Sequence, residues 1–242
     1  MHRKLTSVLG GVFILLAGLI TVTEAEDMNG RALDEKQKSV VMISAFTANG
    51  DLEKLGPALN RGLDAGLTVN EIKEVLVQMY AYTGFPRSLN GISTFMAVLE
   101  ERRGRGIIDE PGQEAGPLPS DLDRDGYGAR VRAQLAGIDE IPPPAGYQLF
   151  APVIDQFLKE HLFADIFARD VLDFQTRELA TISALAAMSG TAGQLQFHLG
   201  AAMNMGLSEA QLRDFIEVIR TQVGGQEAAT ASDVLEKVLA GR

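Results

Sequence analysis

The 242-residue chain has no cysteine, no tryptophan, only three histidines, and 22 basic residues against 32 acidic ones. Each shortage removes a class of function. Without cysteine there is no thiol nucleophile, thiolate metal ligand, disulfide framework or dithiol redox couple. At a formal net charge of −10 the surface repels phosphates and anionic lipid, so neither nucleic acid nor a membrane surface is an expected partner. Groups matched to proton exchange near neutral pH narrow to His2, His161 and His198. Strand-like alternation bounded by turn signals is missing outside the N-terminal segment, so the expected class is all-α.

What is present begins with hydrophobic residues at 46%, enough for a sizeable core without disulfides or metals. Residues 1–25 read as a signal peptide. His2, Arg3 and Lys4 form a positive start, Val8 to Val22 is apolar or small, and Thr23-Glu24-Ala25 sets small residues before a cut at Glu26. The apolar run falls short of the ~20 residues of a spanning helix. The expectation is therefore an exported, periplasmic or secreted protein without stable membrane association after cleavage, the alternative being a retained anchor.

Leu52, Leu55, Leu59 and Leu63 line one helical stripe, and Gly66 stops it. Thr68 with Glu71 predicts a capping box opening the next helix, whose apolar face is Ile72, Val75, Leu76 and Met79. That helix ends near Gly84-Phe85-Pro86, and another is expected over Leu89 to Glu101. From Gly104 to Tyr147 the composition changes, with six of the nine prolines and eight of the 25 glycines. This predicts a connector, with a short helix near Ala129 to Leu135. Helical patterning resumes at Pro152.

The two flanks repeat each other. Leu33-Asp34 returns as Leu172-Asp173 and Ile43-Ser44-Ala45 as Ile182-Ser183-Ala184, while Gly66-Leu67-Thr68 returns as Gly206-Leu207-Ser208 one residue later. The capping box recurs as Ser208 with Gln211. Repetition of helix stops and caps points to duplicated structure. The expected organisation is a signal at 1–25, a first unit at 26–103, a connector at 104–147 and a second unit at 148–242.

The segment RELATISALAAMSGTAGQLQFHLGAAMNMGLSEAQLRDFI, Arg177 to Ile216, resembles the carboxymuconolactone decarboxylase-like family, whose members share the alkylhydroperoxidase D-like helical fold. GLDAGLTVNEIKEVLVQMYAYTGFPRSLNG, Gly62 to Gly91, resembles it too. The peroxidase branch of that family uses a Cys-x-x-Cys pair ahead of a histidine. Here those positions are Thr191 and Gln194, neither of which can cycle through a sulfenic acid. The decarboxylase branch acts on a carboxylated lactone without metal or organic cofactor, and the resemblance implies none here.

Loss of CO2 leaves an enolate-like anion that needs a donor beside it and an acid for carbon. The resemblance places Arg177, Glu178 and His198 at the relevant positions, with Arg177 holding a carboxylate bidentately, His198 moving the proton and Glu178 orienting it. Tyr82 and Arg87, which end the first unit, are candidates to line a pocket for a small carboxylated molecule. Each has a plainer reading: His198 as a core histidine bonded to Glu178, Arg177 and Glu178 as ordinary helix-start residues, Tyr82 and Arg87 as helix-end packing. The first unit carries Lys38, Ser39 and Ala58 where the second has Arg177, Glu178 and His198. His161 is expected on a packed amphipathic helix. Asp121, Asp123, Asp125 and Gly126 resemble the start of a calcium loop, but position twelve is Arg132, which favours a polar turn. Two functions stay open, a cofactor-independent lyase and a non-catalytic binding or scaffold protein. Family habit and the nearly continuous apolar run Val40 to Phe46 predict a homotrimer.

Overall fold

The computed structural model describes residues 32–242, so the expected signal peptide lies outside the described residues. Among them all regular structure is helical. The first unit is α1 (Glu35–Asn49), α2 (Leu52–Asp64), α3 (Val69–Thr83) and α4 (Phe85–Gly104). The expected connector holds α5 (Arg124–Ala136), and α6 (Tyr147–Phe150) lies where the second unit was expected to begin. Then α7 (Pro152–Gln156) runs into a π-helical stretch, Phe157–Ile166. The second unit continues with α8 (Phe174–Ala186), α9 (Ala192–Asn204), α10 (Glu209–Val218), extended by a π turn at Ile219–Val223, and α11 (Gly225–Ala240).

Local chemistry sets the helix starts. Asp34 and Asp173 cap α1 and α8, accepting from the backbone N–H three residues on. Thr68 and Glu71 close a capping box on α3, and Ser208 and Gln211 close its counterpart on α10. Before each box the chain turns through a glycine in the left-handed region, Gly66 at φ +92° and Gly206 at φ +101°. Any side chain there would be strained. The helix expected from Leu89 starts earlier, at Phe85. Pro86 sits in its first turn, where the missing N–H has no partner to lose.

One core serves both units. In α1 every residue from Ser39 to Ala48 is buried. Such a helix must be enclosed on all sides, and α8 provides much of the enclosure. The burial expected to need a neighbouring chain is thus supplied within this one. Leu55, Leu59, Leu76, Leu179, Leu199 and Phe215 complete the same core.

The connector is more than a tether. Its helix α5 lies against the π-helical stretch, with Val131, Leu135, Leu162, Phe163, Ile166 and Phe167 forming a second core that also takes in Ala201 of α9. The approach is close enough that a Cβ on Gly128 would sit 2.0 Å from the Lys159 carbonyl oxygen. Ion pairs frame the hairpin: Arg132 with Asp155 at 2.7 Å, Arg124 with Asp165 at 2.6 Å. The calcium-like turn is absorbed here, Asp123 capping α5 and Asp125 reaching Lys159.

Candidate functional site

Two neighbouring turns bring the acid–base residues together. Arg177 and Glu178 lie early in α8, and His198 lies on α9, which packs antiparallel-fashion back along it after the Thr191 turn. His198 Nδ1 stands 2.7 Å from Glu178 Oε2. A carboxylate only accepts, so Nδ1 carries the proton and donates, leaving Nε2 as the free nitrogen. Both residues are buried, Glu178 completely. The His198 ring is gripped edge-on by Tyr82, centroids 5.7 Å apart, and by Phe197 at 5.1 Å.

Arg177 is fully buried and locked in place. Its guanidinium donates to Gln78 Oε1 at 2.9 Å and to the Arg169 carbonyl at 2.8 Å, and lies 3.6 Å from Glu74 Oε2. Gln78 completes the ring by donating to the Arg177 carbonyl at 2.8 Å and Thr181 Oγ1 at 3.0 Å. Arg169 grips Glu74 with both Nε and a terminal nitrogen. Burial pulls the Arg177 guanidinium below its usual range, and the Glu74 carboxylate opposes that pull. The bidentate hold on a substrate carboxylate expected of Arg177 is therefore taken by the protein. One nitrogen of the guanidinium, Nε, has no partner at all.

That leftover is part of a pattern. Among the described residues four buried side-chain polar atoms have no hydrogen-bond partner, and three of them are Tyr82 Oη, Arg177 Nε and Glu178 Oε1. An unpaired buried polar atom costs about 1–3 kcal/mol. Burial, with the Glu178 charge beside it, pushes the Tyr82 phenol far up, so it remains an O–H donor. The site thus offers two spare donors and one spare acceptor next to a histidine–carboxylate pair.

Sequence reasoning named His198, Glu178, Arg177 and Tyr82, and the structure brings these four together. Arg87 goes elsewhere: it donates to the Ala48 carbonyl at the end of α1 and lies against Gly50. His161 pairs with Asp165 at 3.0 Å on an exposed face. Glu74, Gln78 and Arg169 were missed. A signal existed for the first two: with Tyr82 they recur every four residues along α3, and Glu74 and Gln78 are buried polar residues among Val75, Leu76 and Met79. The site is consequently built by both units, α3 of the first completing α8 and α9 of the second.

A model of the carboxymuconolactone decarboxylase family matches the chain twice, over residues 16–94 and 152–237. The chain belongs to that family. An uncharacterized protein of Methanocaldococcus jannaschii is 25% identical over 75 residues, 31% of this chain and 70% of that relative. The family's matched segments hold every residue of the cluster, with Glu74, Gln78 and Tyr82 in the first and Arg169, Arg177, Glu178 and His198 in the second. Residues 95–151, which include α5, lie between the matches.

The first unit's counterpart of the site is open. A cavity of about 550 Å³ is lined by Lys38, Ser39 and Met42 of α1 and by Asp214, Val218 and Gln222 of the second unit, among others. Lys38 faces Asp214 at 3.9 Å, the place of the Arg177–Glu74 pair. Ala58, at the position of His198, is buried in the core.

Proposed function

We propose that this chain is a cofactor-independent acid–base enzyme of carboxymuconolactone decarboxylase type, acting on a small carboxylated lactone or related acid. The observation that carries the reading is the buried Glu178–His198 pair at 2.7 Å, bordered by unpaired donors. As carbon dioxide leaves, the electrons of the broken C–C bond pass to the adjoining carbonyl as an enolate. Tyr82 Oη–H and Arg177 Nε–H are the groups suited to hold that oxygen. His198, protonated at Nε2, hands its proton to the carbon, and Glu178 stabilises the imidazolium and fixes the ring. Thiol peroxidase chemistry has no place in it, because the chain has no cysteine.

The proposal includes export with loss of residues 1–25, and self-association. Leu149 and Phe150 of α6, Val153 of α7 and Phe157 at the start of the π-helical stretch are exposed apolar residues close in sequence, Phe150 being 92% exposed, which favours a covering neighbour. The competing reading is a binding or scaffold protein, favoured by the near-complete closure of the site: Arg177 and Glu178 are 0% exposed and His198 6%. A screen of carboxylated lactones, scored for turnover and thermal shift together, tests the choice. Turnover that disappears in Glu178→Gln and His198→Gln supports the enzyme. Thermal shifts without turnover across the panel support the binder.

A further inference from the structure

We infer that an open cavity beside the His198 helix is a seat for a small organic acid. It measures about 710 Å³ and lies between α9, the end of α5 and the last turn of α11. Lys237 and Arg242 stand on its wall with the amides of Gln196 and Asn204, and no carboxylate side chain lines it. In a chain of net charge −10, a cavity whose two charged side chains are both positive runs against the average and favours anions locally, even with the α-carboxylate of Arg242 set against them. Arg242 is held over it, donating to Asn204 Oδ1 at 2.8 Å and the Gly200 carbonyl at 3.3 Å. Among the described residues Lys237 is in no ion pair within 4 Å, Asp233 one turn before it included.

The floor of the cavity is kept bare. Gly193 and Gly200 lie two turns apart on α9, and a side chain added at either would meet nothing within 4 Å. Glycine is a poor interior helix residue, so packing does not explain the choice. Phe197 links the cavity to the site already described: it lines the cavity, and its ring meets His198 edge-on at 5.1 Å. An acid held through its carboxylate by Lys237, and by the N–H groups of Arg242 not given to Asn204 and Gly200, has its body against Phe197, one ring away from the Glu178–His198 pair. That the bound acid is also the substrate rests on the proton-transfer reading of His198; the binding itself does not.

Isothermal titration of the full chain with phthalate, at low ionic strength and beside neutral phthalamide, tests the seat. Phthalate should bind and phthalamide should not. Lys237→Ala should weaken phthalate about tenfold, the size of one charge-assisted hydrogen bond. Gly200→Leu should abolish binding while the melting temperature holds or rises, because the new side chain enters open space on a better helix former. His198→Gln should leave phthalate affinity unchanged. A chain that binds phthalate through Lys237 but turns over no lactone removes the enzyme reading and leaves the seat standing. Failure of the unaltered chain to bind phthalate overturns the inference, as does binding retained in both variants. A Gly200→Leu chain altered only in oligomeric state overturns it too, marking the bare floor as a contact between chains.

Discussion

The two units place related residues around related spaces, yet only one space holds an acid–base pair. On the second unit's side, Arg177 faces Glu74 at 3.6 Å, and Glu178, His198 and Tyr82 gather beside them. On the other side Lys38 faces Asp214 at 3.9 Å, but the matching positions are Ser39, Ala58 and Gln222. The cation–carboxylate pair survives in both, so it belongs to the architecture of paired units. The histidine, its carboxylate and the phenol occur in one, so the pairing of the units does not require them.

The sharpest break of this contrast is at the histidine positions. His198→Gln should lower turnover by about 10²–10⁴-fold, the usual share of positioned proton transfer, with little change in the thermal melt. The reciprocal Ala58→His should gain none, because Ser39 cannot orient the ring. Steady-state kinetics on a verified lactone checks both, and full activity in His198→Gln would remove the site assignment.

Next comes the conserved ion pair. Glu74→Ala leaves Arg177 buried beside Arg169 with no carboxylate between them, so urea denaturation should show a loss of about 3–5 kcal/mol. Asp214→Ala removes the counterpart, whose partner Lys38 is partly exposed, together with the acceptor for Leu33 N–H. It should cost about 1–2 kcal/mol. Equal losses would mean that the two pairs are not set apart by burial.

Much of this was readable beforehand where causes are local. Thr68 and Ser208 each open a helix through a capping box that closes three residues on, so those two boundaries followed from spacing. His198 and Glu178 were named through the family resemblance, and the structure sets them 2.7 Å apart. The roles of Glu74 and Gln78 were hidden by distance along the chain: Gln78 meets Arg177 across a separation of 99 residues. The extent of α5 was hidden for another reason. Its glycines argue against a helix locally, and packing on the Phe157–Ile166 stretch overrides them. The bidentate role given to Arg177 failed to foresee that the protein itself would occupy the fork.

Tyr82→Phe sharpens the contrast at smaller cost. The phenol oxygen is buried without a partner, so stability should hold or rise slightly, while turnover should fall about 10²-fold if the phenol holds the developing oxyanion. Turnover as in the unaltered chain would return Tyr82 to simple packing.

The smallest effect expected compares the tandem core with the connector hairpin. Burial alone would raise the Asp155 carboxyl, but hydrogen bonds from Gln148 and Arg132, with Lys159 nearby, hold it below the usual range. For Asp165 the same burial is outweighed by Arg124 and His161. A depressed folded pKa contributes stability above the unfolded value of about 3.9 and loses it as pH falls through the folded value. Hydrogen exchange in residues 124–136 and 152–166 should therefore quicken below about pH 4 before α1 and α8 are affected. Simultaneous loosening would place the hairpin and the core in one cooperative unit.

The crossing of α3 into the other unit's site also bears on the history of such a chain. Two separate copies of one unit, paired the same way, would present two identical sites. Any substitution at the place of Ala58 would then strike both at once, and neither could drift while the other worked. Joining the copies removes that constraint, since each position is now written twice and can be revised singly. It adds another: cut at the connector, neither half would own a finished site, because Gln78 and His198 would leave on different pieces.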